Sequence, residues 1–309
     1  MKRLFRVALV LFAVGTGSTW SRVAAAENKI KVVATFSVIG DMVANVAGDL
    51  VDLTTIVGPD GDTEEYEPTA ADVPKMANAR ILFMNGLNDD FEPWLPSLMK
   101  QSRFDGTKVI VSRGVKGLSA EDEHPMGGKP KAIMLDQHAW MNPKNGLIYV
   151  KNITDALVRL DPANAAEYRN RAASYTQELR DLDAWAQAEM AAVPAAKRRA
   201  LSSHDSLQYL ANAFSITMIS VYGWTNKAEP SAADLARLTD QIRVEHVRAL
   251  FLDSITDPRA MERISKETGA VIGGTIYGDA LSKPDGPAGT YIQMIRHDIS
   301  TLKEGMLLN

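Results

Sequence analysis

Short β-rich runs alternate with longer amphipathic stretches twice along this chain, and one helical stretch longer than any other separates the two series. That order constrains the fold more than any other feature, because strands that alternate with helices close into parallel sheets whose faces the helices cover. In the first series, residues 31–36 read as a buried parallel strand. Residues 37–47 follow as a helix with apolar Ile39, Met42, Val43 and Val46 at spacings of three and four. Residues 51–57 read as a strand ending in the turn-rich Gly58-Pro59-Asp60-Gly61-Asp62. Helix is expected at 70–77, strand at 80–84, an amphipathic stretch at 92–101 and strand at 108–112. The second series places strands at 200–202, 217–221, 249–253 and 271–276, with helices at 206–214, 232–246 and 258–268.

Between the series, a helix over 146–160 precedes Asp161-Pro162, where the aspartate is expected to cap and the proline to open the next helix. That helix, residues 163–192, carries Tyr168, Ala172, Tyr175, Leu179, Leu182 and Trp185 along one stripe. At 1.5 Å per residue it would reach about 45 Å, the height of a two-lobe protein. A chain of 309 residues is near the upper limit for a single core, which also favours two lobes. The expected organisation is an N-terminal α/β lobe over 27–160, a rigid connecting helix over 161–193 and a C-terminal α/β lobe over 194–309. Residues 117–131, with Gly117, Pro125, Gly127, Gly128, Pro130 and the acidic run Glu121-Asp122-Glu123, interrupt the alternation and read as a mobile surface loop.

Residues 1–26 read as an export signal. Lys2, Arg3 and Arg6 precede an apolar stretch over 7–14, and Ala24-Ala25-Ala26 offers a small-residue cleavage site. The apolar stretch is too short to cross a hydrocarbon core. Removing this segment takes away four basic residues and no acid, so the formal charge of −4 becomes more negative. A net acidic exported chain is a poor partner for nucleic acid, whose phosphates call for a basic surface. The sequence has no cysteine, which excludes disulfides, thiolate metal sites, thiol catalysis and a lipidated cysteine anchor. Any metal must be held by nitrogen and oxygen.

Five histidines are present. His246 and His297 lie in helical patterns beside Arg248 and Arg296 and read as solvated or capping residues. His138, in Asp136-Gln137-His138-Ala139-Trp140-Met141-Asn142-Pro143, and His204, in Ser203-His204-Asp205, stand in loops of the kind that form the binding crevice of parallel sheets. Taken alone, each is structural about as often as it is a ligand. Two acidic loops hold comparable places: residues 62–68 after the second strand, and residues 277–282 after the last. Acidic loops are usually solvated surface. Four such loops, two per half, nonetheless suit a metal site between lobes.

These segments together resemble the periplasmic solute-binding proteins of zinc and manganese ABC importers. The resemblance is carried by residues 33–41, Tyr66-Glu67-Pro68-Thr69, Asn85-Gly86-Leu87, residues 138–143, Ser203-His204-Asp205, Glu229-Pro230-Ser231 and residues 273–282. It implies two α/β lobes joined by one rigid helix, with a metal in the cleft between them, and it places His138, His204 and Asp279 at three of four ligand positions. His204 is of the type found in many zinc members, where many manganese members have glutamate. At the first position, where members usually have histidine, this chain has Glu64. A carboxylate replaces imidazole at similar bond length, giving two nitrogens and two carboxylates that neutralise a divalent cation. More oxygen shifts preference toward manganese, while raw affinity still favours zinc. His124 in the interrupting loop is the alternative fourth ligand.

The resemblance implies a monomeric, non-enzymatic periplasmic protein without organic cofactor, and the absence of cysteine leaves it without a lipid anchor. It would capture zinc, or second to it manganese, and deliver the ion to the permease of an ABC importer in the inner membrane. Two competing readings are a metal-dependent hydrolase, with Glu65 or Asp205 as general base, and a metal-binding adhesion protein on the same fold.

Overall fold

The computed structural model describes residues 29–120, 134–221 and 232–309. The signal segment, His124, the acidic run at 121–123 and Glu229-Pro230-Ser231 lie outside the described residues.

Two four-stranded parallel sheets, covered by helices, form the molecule. The first consists of β1 (Ile30–Phe36), β2 (Val51–Val57), β3 (Ile81–Met84) and β4 (Thr107–Ile110) in the order β2-β1-β3-β4. Its helices are α1 (Ser37–Ala47), α2 (Asp72–Ala77) and α3 (Leu95–Ser102). A two-residue antiparallel ladder, β5 (Ser119–Ala120) with β6 (Met134–Leu135), brackets residues 121–133. The helix α4 (Pro143–Leu160) begins three residues before the expected start because the Asn142 side chain caps it, accepting from Lys144 N, and Pro143 opens it.

The second sheet consists of β7 (Arg199–Ser202), β8 (Thr217–Ser220), β9 (Ala249–Asp253) and β10 (Val271–Ile276) in the order β10-β9-β7-β8. It comes with α6 (Gln208–Phe214), α7 (Ala232–Glu245), α8 (Arg259–Thr268) and α9 (Tyr291–Met306). Counted within its own half, each sheet has the order second, first, third, fourth strand. The direction of winding therefore reverses beside the first strand of each sheet, where open parallel sheets leave a crevice at their carboxyl ends. Strand β1 shows why the sheets are parallel: its last five residues are all buried, as a strand covered on both faces requires.

The long helix α5 runs over Ala165–Ala191, about 40 Å. Its buried residues Tyr168, Ala172, Tyr175, Leu179 and Leu182 are the expected stripe, with Trp185 half-buried at the same seam. The helix packs against α1 and α4 of the first half and α9 of the second. One core cluster therefore runs from the first sheet through α5 into α9 and β9, while a smaller cluster around Leu201, Leu250 and Ile264 lies beneath α7 and α8.

The start of α5 differs from expectation. A single 3-10 turn, Pro162–Asn164, precedes it, and Asp161 caps no backbone amide. Its carboxylate instead accepts from the Tyr168 hydroxyl at 2.8 Å and the Asn164 amide at 2.7 Å, which pins the first turn of the helix through its side chains.

Candidate metal centre

Each of the four residues singled out in the sequence follows a strand or a short extended piece. Glu64 comes after β2, His138 after β6, His204 after β7 and Asp279 after β10. The structure brings all four together: one donor atom from each lies within 4.8 Å of the others, and every one of the side chains is buried. The Nε2 atom of His138 is 3.1 Å from Asp279 Oδ1 and 3.9 Å from Glu64 Oε1, and His204 Nε2 is 3.2 Å from Asp279 Oδ2. Among the described residues, no hydrogen bond satisfies Glu64 Oε2, His138 Nε2 or either oxygen of Asp279. Buried polar atoms that face one another without partners are costly unless something binds between them.

The surroundings hold each side chain in place. His138 Nδ1–H donates to Asp136 Oδ1 at 2.8 Å, and the same oxygen accepts from the His138 backbone amide. The bond fixes the ring so that Nε2 faces the cluster. Gln137 Nε2 donates to Glu64 Oε1. The Glu64 loop is tied down where Trp94 Nε1 donates to Thr63 O at 2.8 Å and where Asp62 Oδ1 accepts from Glu64 N and Glu65 N. Farther along it, Asp72 gathers the Tyr66 hydroxyl and the Thr69 backbone amide, giving the Tyr-Glu-Pro-Thr segment its fixed turn. Phe91 and Trp140 stand edge-on to His138 and wall the cluster with apolar surface.

Asp279 belongs to the second half in sequence, yet its loop is bonded to the first. Trp140 Nε1 donates to Gly278 O at 2.8 Å, Leu281 N donates to Ser37 Oγ at 2.9 Å, and Asp60 N donates to Leu281 O at 2.8 Å. The residue before Asp279 has to be glycine: a Cβ on Gly278 would stand 2.1 Å from Ser206 Oγ and 2.8 Å from Asp253 Oδ2.

The electrostatics follow from burial. Desolvation, with Asp279 nearby, pushes the Glu64 carboxyl up to about 7. Burial, the largest single effect, works against a proton on His204, but the charge of Asp279 and its direct contact with the ring together outweigh it and raise the imidazole to about 9. His138 moves the same way, with burial opposed by Asp279 and Asp136. Asp279, despite its burial, is held well below the usual carboxylate range by the two histidines. Asp279 is thus favoured as the carboxylate, and its charge favours the protonated form of the two histidines on either side of it.

The remaining sequence candidates lie elsewhere. His246 is exposed just past α7 in left-handed backbone. His297 is not a solvated residue: it is half-buried, its Nε2 lies 2.9 Å from Thr275 O, and its ring meets Tyr277 edge-on, so it ties α9 to β10. Sequence reasoning gave no role to Asp136 or Gln137, although an aspartate two residues before a ligand-type histidine is a signal for an orienting carboxylate.

The family profile described as zinc-uptake complex component A, periplasmic, matches residues 32–305. The chain is 33% identical to the iron-binding protein YfeA of Yersinia pestis, over 97% of this chain and 96% of that one. It is 30% identical to the manganese ABC transporter substrate-binding lipoprotein PsaA of Streptococcus anginosus, over 98% and 96%. Among solved structures, the periplasmic zinc-binding protein TroA of Treponema pallidum superposes with a TM-score of 0.81 at 28% identity, over 90% of this chain and 99% of that one. With the profile spanning nearly all the described residues, this chain belongs to the zinc-uptake complex component A family.

Proposed function

We infer that the protein captures a divalent transition metal, zinc in preference to manganese, outside the cytoplasmic membrane and delivers it to the permease of an ABC importer. The observation that carries this reading is the buried convergence of Glu64, His138, His204 and Asp279, in which Glu64 Oε2, His138 Nε2 and both Asp279 oxygens have no hydrogen-bond partner among the described residues. Two neutral imidazoles and two carboxylates cancel the charge of a divalent cation and supply four ligands, the number of a closed zinc site. The relatives bind or carry iron, manganese and zinc by their names, which fits a cargo site whose selectivity varies on one scaffold. Residues 1–26 act as the export signal, and the mature protein works as a monomer free of a lipid anchor.

A hydrolase would need an open metal position and a free base beside it. Glu65 is exposed, and Asp205 accepts from Gln208 Nε2 at 2.6 Å, so neither is poised for that work. Equilibrium dialysis of the parent protein, His138→Ala and His204→Ala against zinc and manganese tests the reading. One tightly bound ion per parent chain, lost in both variants, is expected; variants that bind as tightly as the parent overturn the site.

A further inference from the structure

Gln137 stands between Asp136, which orients His138, and His138 itself, and it is as fully buried as they are. Its backbone is anchored: Gln137 O accepts from Asn85 Nδ2 at 2.8 Å. Asn85 is held in turn by the Tyr149 hydroxyl on its Oδ1, by Glu92 Oε1 on its backbone amide and by Ser112 Oγ on its carbonyl. The Gln137 side chain therefore leaves a fixed point, and its amide donates to Oε1 of Glu64. Once a cation holds Glu64 ionised, the carboxylate only accepts hydrogen bonds, so the amide presents N–H rather than C=O to it.

The two oxygens of Glu64 are thus unequal. Oε1 already accepts from Gln137, whereas Oε2 is buried with no hydrogen-bond partner among the described residues. A cation beside His138 meets a carboxylate whose Oε1, 3.9 Å from His138 Nε2, already accepts from Gln137 while Oε2 has no partner among the described residues, and chelation by both oxygens would draw Oε1 away from that donor. We propose that Gln137 is a positioning residue that holds Glu64 as a one-oxygen ligand, and that it thereby keeps the site four-coordinate and selects zinc over manganese. Four-coordinate sites suit zinc, whereas manganese favours octahedral, oxygen-rich coordination, so each added carboxylate oxygen moves the site toward manganese. This inference rests on the four residues being the cargo site.

The test is the visible spectrum of the full-length protein loaded with Co²⁺, a probe whose bands are intense when four-coordinate and weak at higher coordination. It is paired with zinc–manganese competition. The variants are Gln137→Asn, whose amide is one methylene too short to reach Glu64, and Gln137→Leu, with Glu64→Ala and the double variant Glu64→Ala/Gln137→Asn as controls for a purely structural effect. The parent is expected to show intense bands. Both Gln137 variants should lose band intensity, and their zinc-to-manganese affinity ratio should fall about tenfold or more, the scale of an orienting partner's effect on a metal ligand. In the Glu64→Ala background, Gln137→Asn should change neither readout. A parent that takes up Co²⁺ with intense bands, alongside Gln137 variants whose spectrum and ratio are unchanged, overturns the role of Gln137 alone. Failure of the parent to take up Co²⁺ or zinc at all overturns the cargo site and the proposal with it.

Discussion

Metal capture by this site should expel protons over a pH range higher than ordinary histidines allow. Unperturbed imidazoles lose their protons near pH 6.5, and binding to them would level off above that value. Here Asp279 holds the proton on His204 up to about 9 and raises His138 in the same direction. At pH 7 His204 is therefore mostly protonated. Zinc must displace both ring protons, and part of one from Glu64, whose carboxyl is pushed up to about 7. The sign is unambiguous: groups with raised pKa values hold protons more tightly, so affinity falls as pH is lowered from about 9 rather than from 6.5. While both rings stay protonated, the apparent zinc affinity should change about a hundredfold per pH unit, one factor of ten for each proton. Isothermal titration at pH 7 in two buffers of different ionisation enthalpy counts the protons directly, and about two or more should be released per zinc. Release of fewer than one, or an affinity flat from pH 7 to 8.5, would refute the electrostatic account of the site.

Other perturbations follow from the same contacts. Asp136→Asn removes the carboxylate that fixes the His138 ring and should weaken zinc binding about 10- to 100-fold in a chelator competition, with the metal-free protein's unfolding curve little changed. Gly278→Ala drives a methyl group into Ser206 and Asp253; a loss of about 1–3 kcal/mol in denaturant-measured stability and weaker metal binding are expected, and a parent-like protein would contradict the close approach. Because α5 packs against helices from both halves, metal addition should change the radius of gyration by less than about 1 Å in solution scattering. A contraction of several ångströms would contradict the rigid connection.

Much of this was legible in the sequence because it rests on periodicity. Helix α1 and strands β2, β9 and β10 begin and end where apolar spacing and turn residues put them. The stripe on α5 was readable because its burial repeats at three and four. The start of α5 was not, because Asp161 found side-chain donors in Asn164 and Tyr168 that compete with the backbone amides, and local pattern does not reveal which partner wins. The four clustered residues could be named individually, since strand-end loops in parallel sheets point to one crevice. What spacing could not give was their support: Gln137 meets Glu64, and Trp140 meets Gly278, across long stretches of chain that only the folded arrangement closes. The identical strand order of the two sheets was also invisible, because it appears in topology and not as a sequence repeat.

The central claim, that Glu64, His138, His204 and Asp279 hold one cargo ion, is tested most directly by diffraction from crystals of the zinc-loaded protein at wavelengths on either side of the zinc absorption edge. The account predicts one strong anomalous peak per chain, with Nε2 of both histidines and an oxygen of each carboxylate about 2.0–2.2 Å from it. A peak outside this cluster, or one that leaves Glu64 or Asp279 beyond bonding distance, would contradict it.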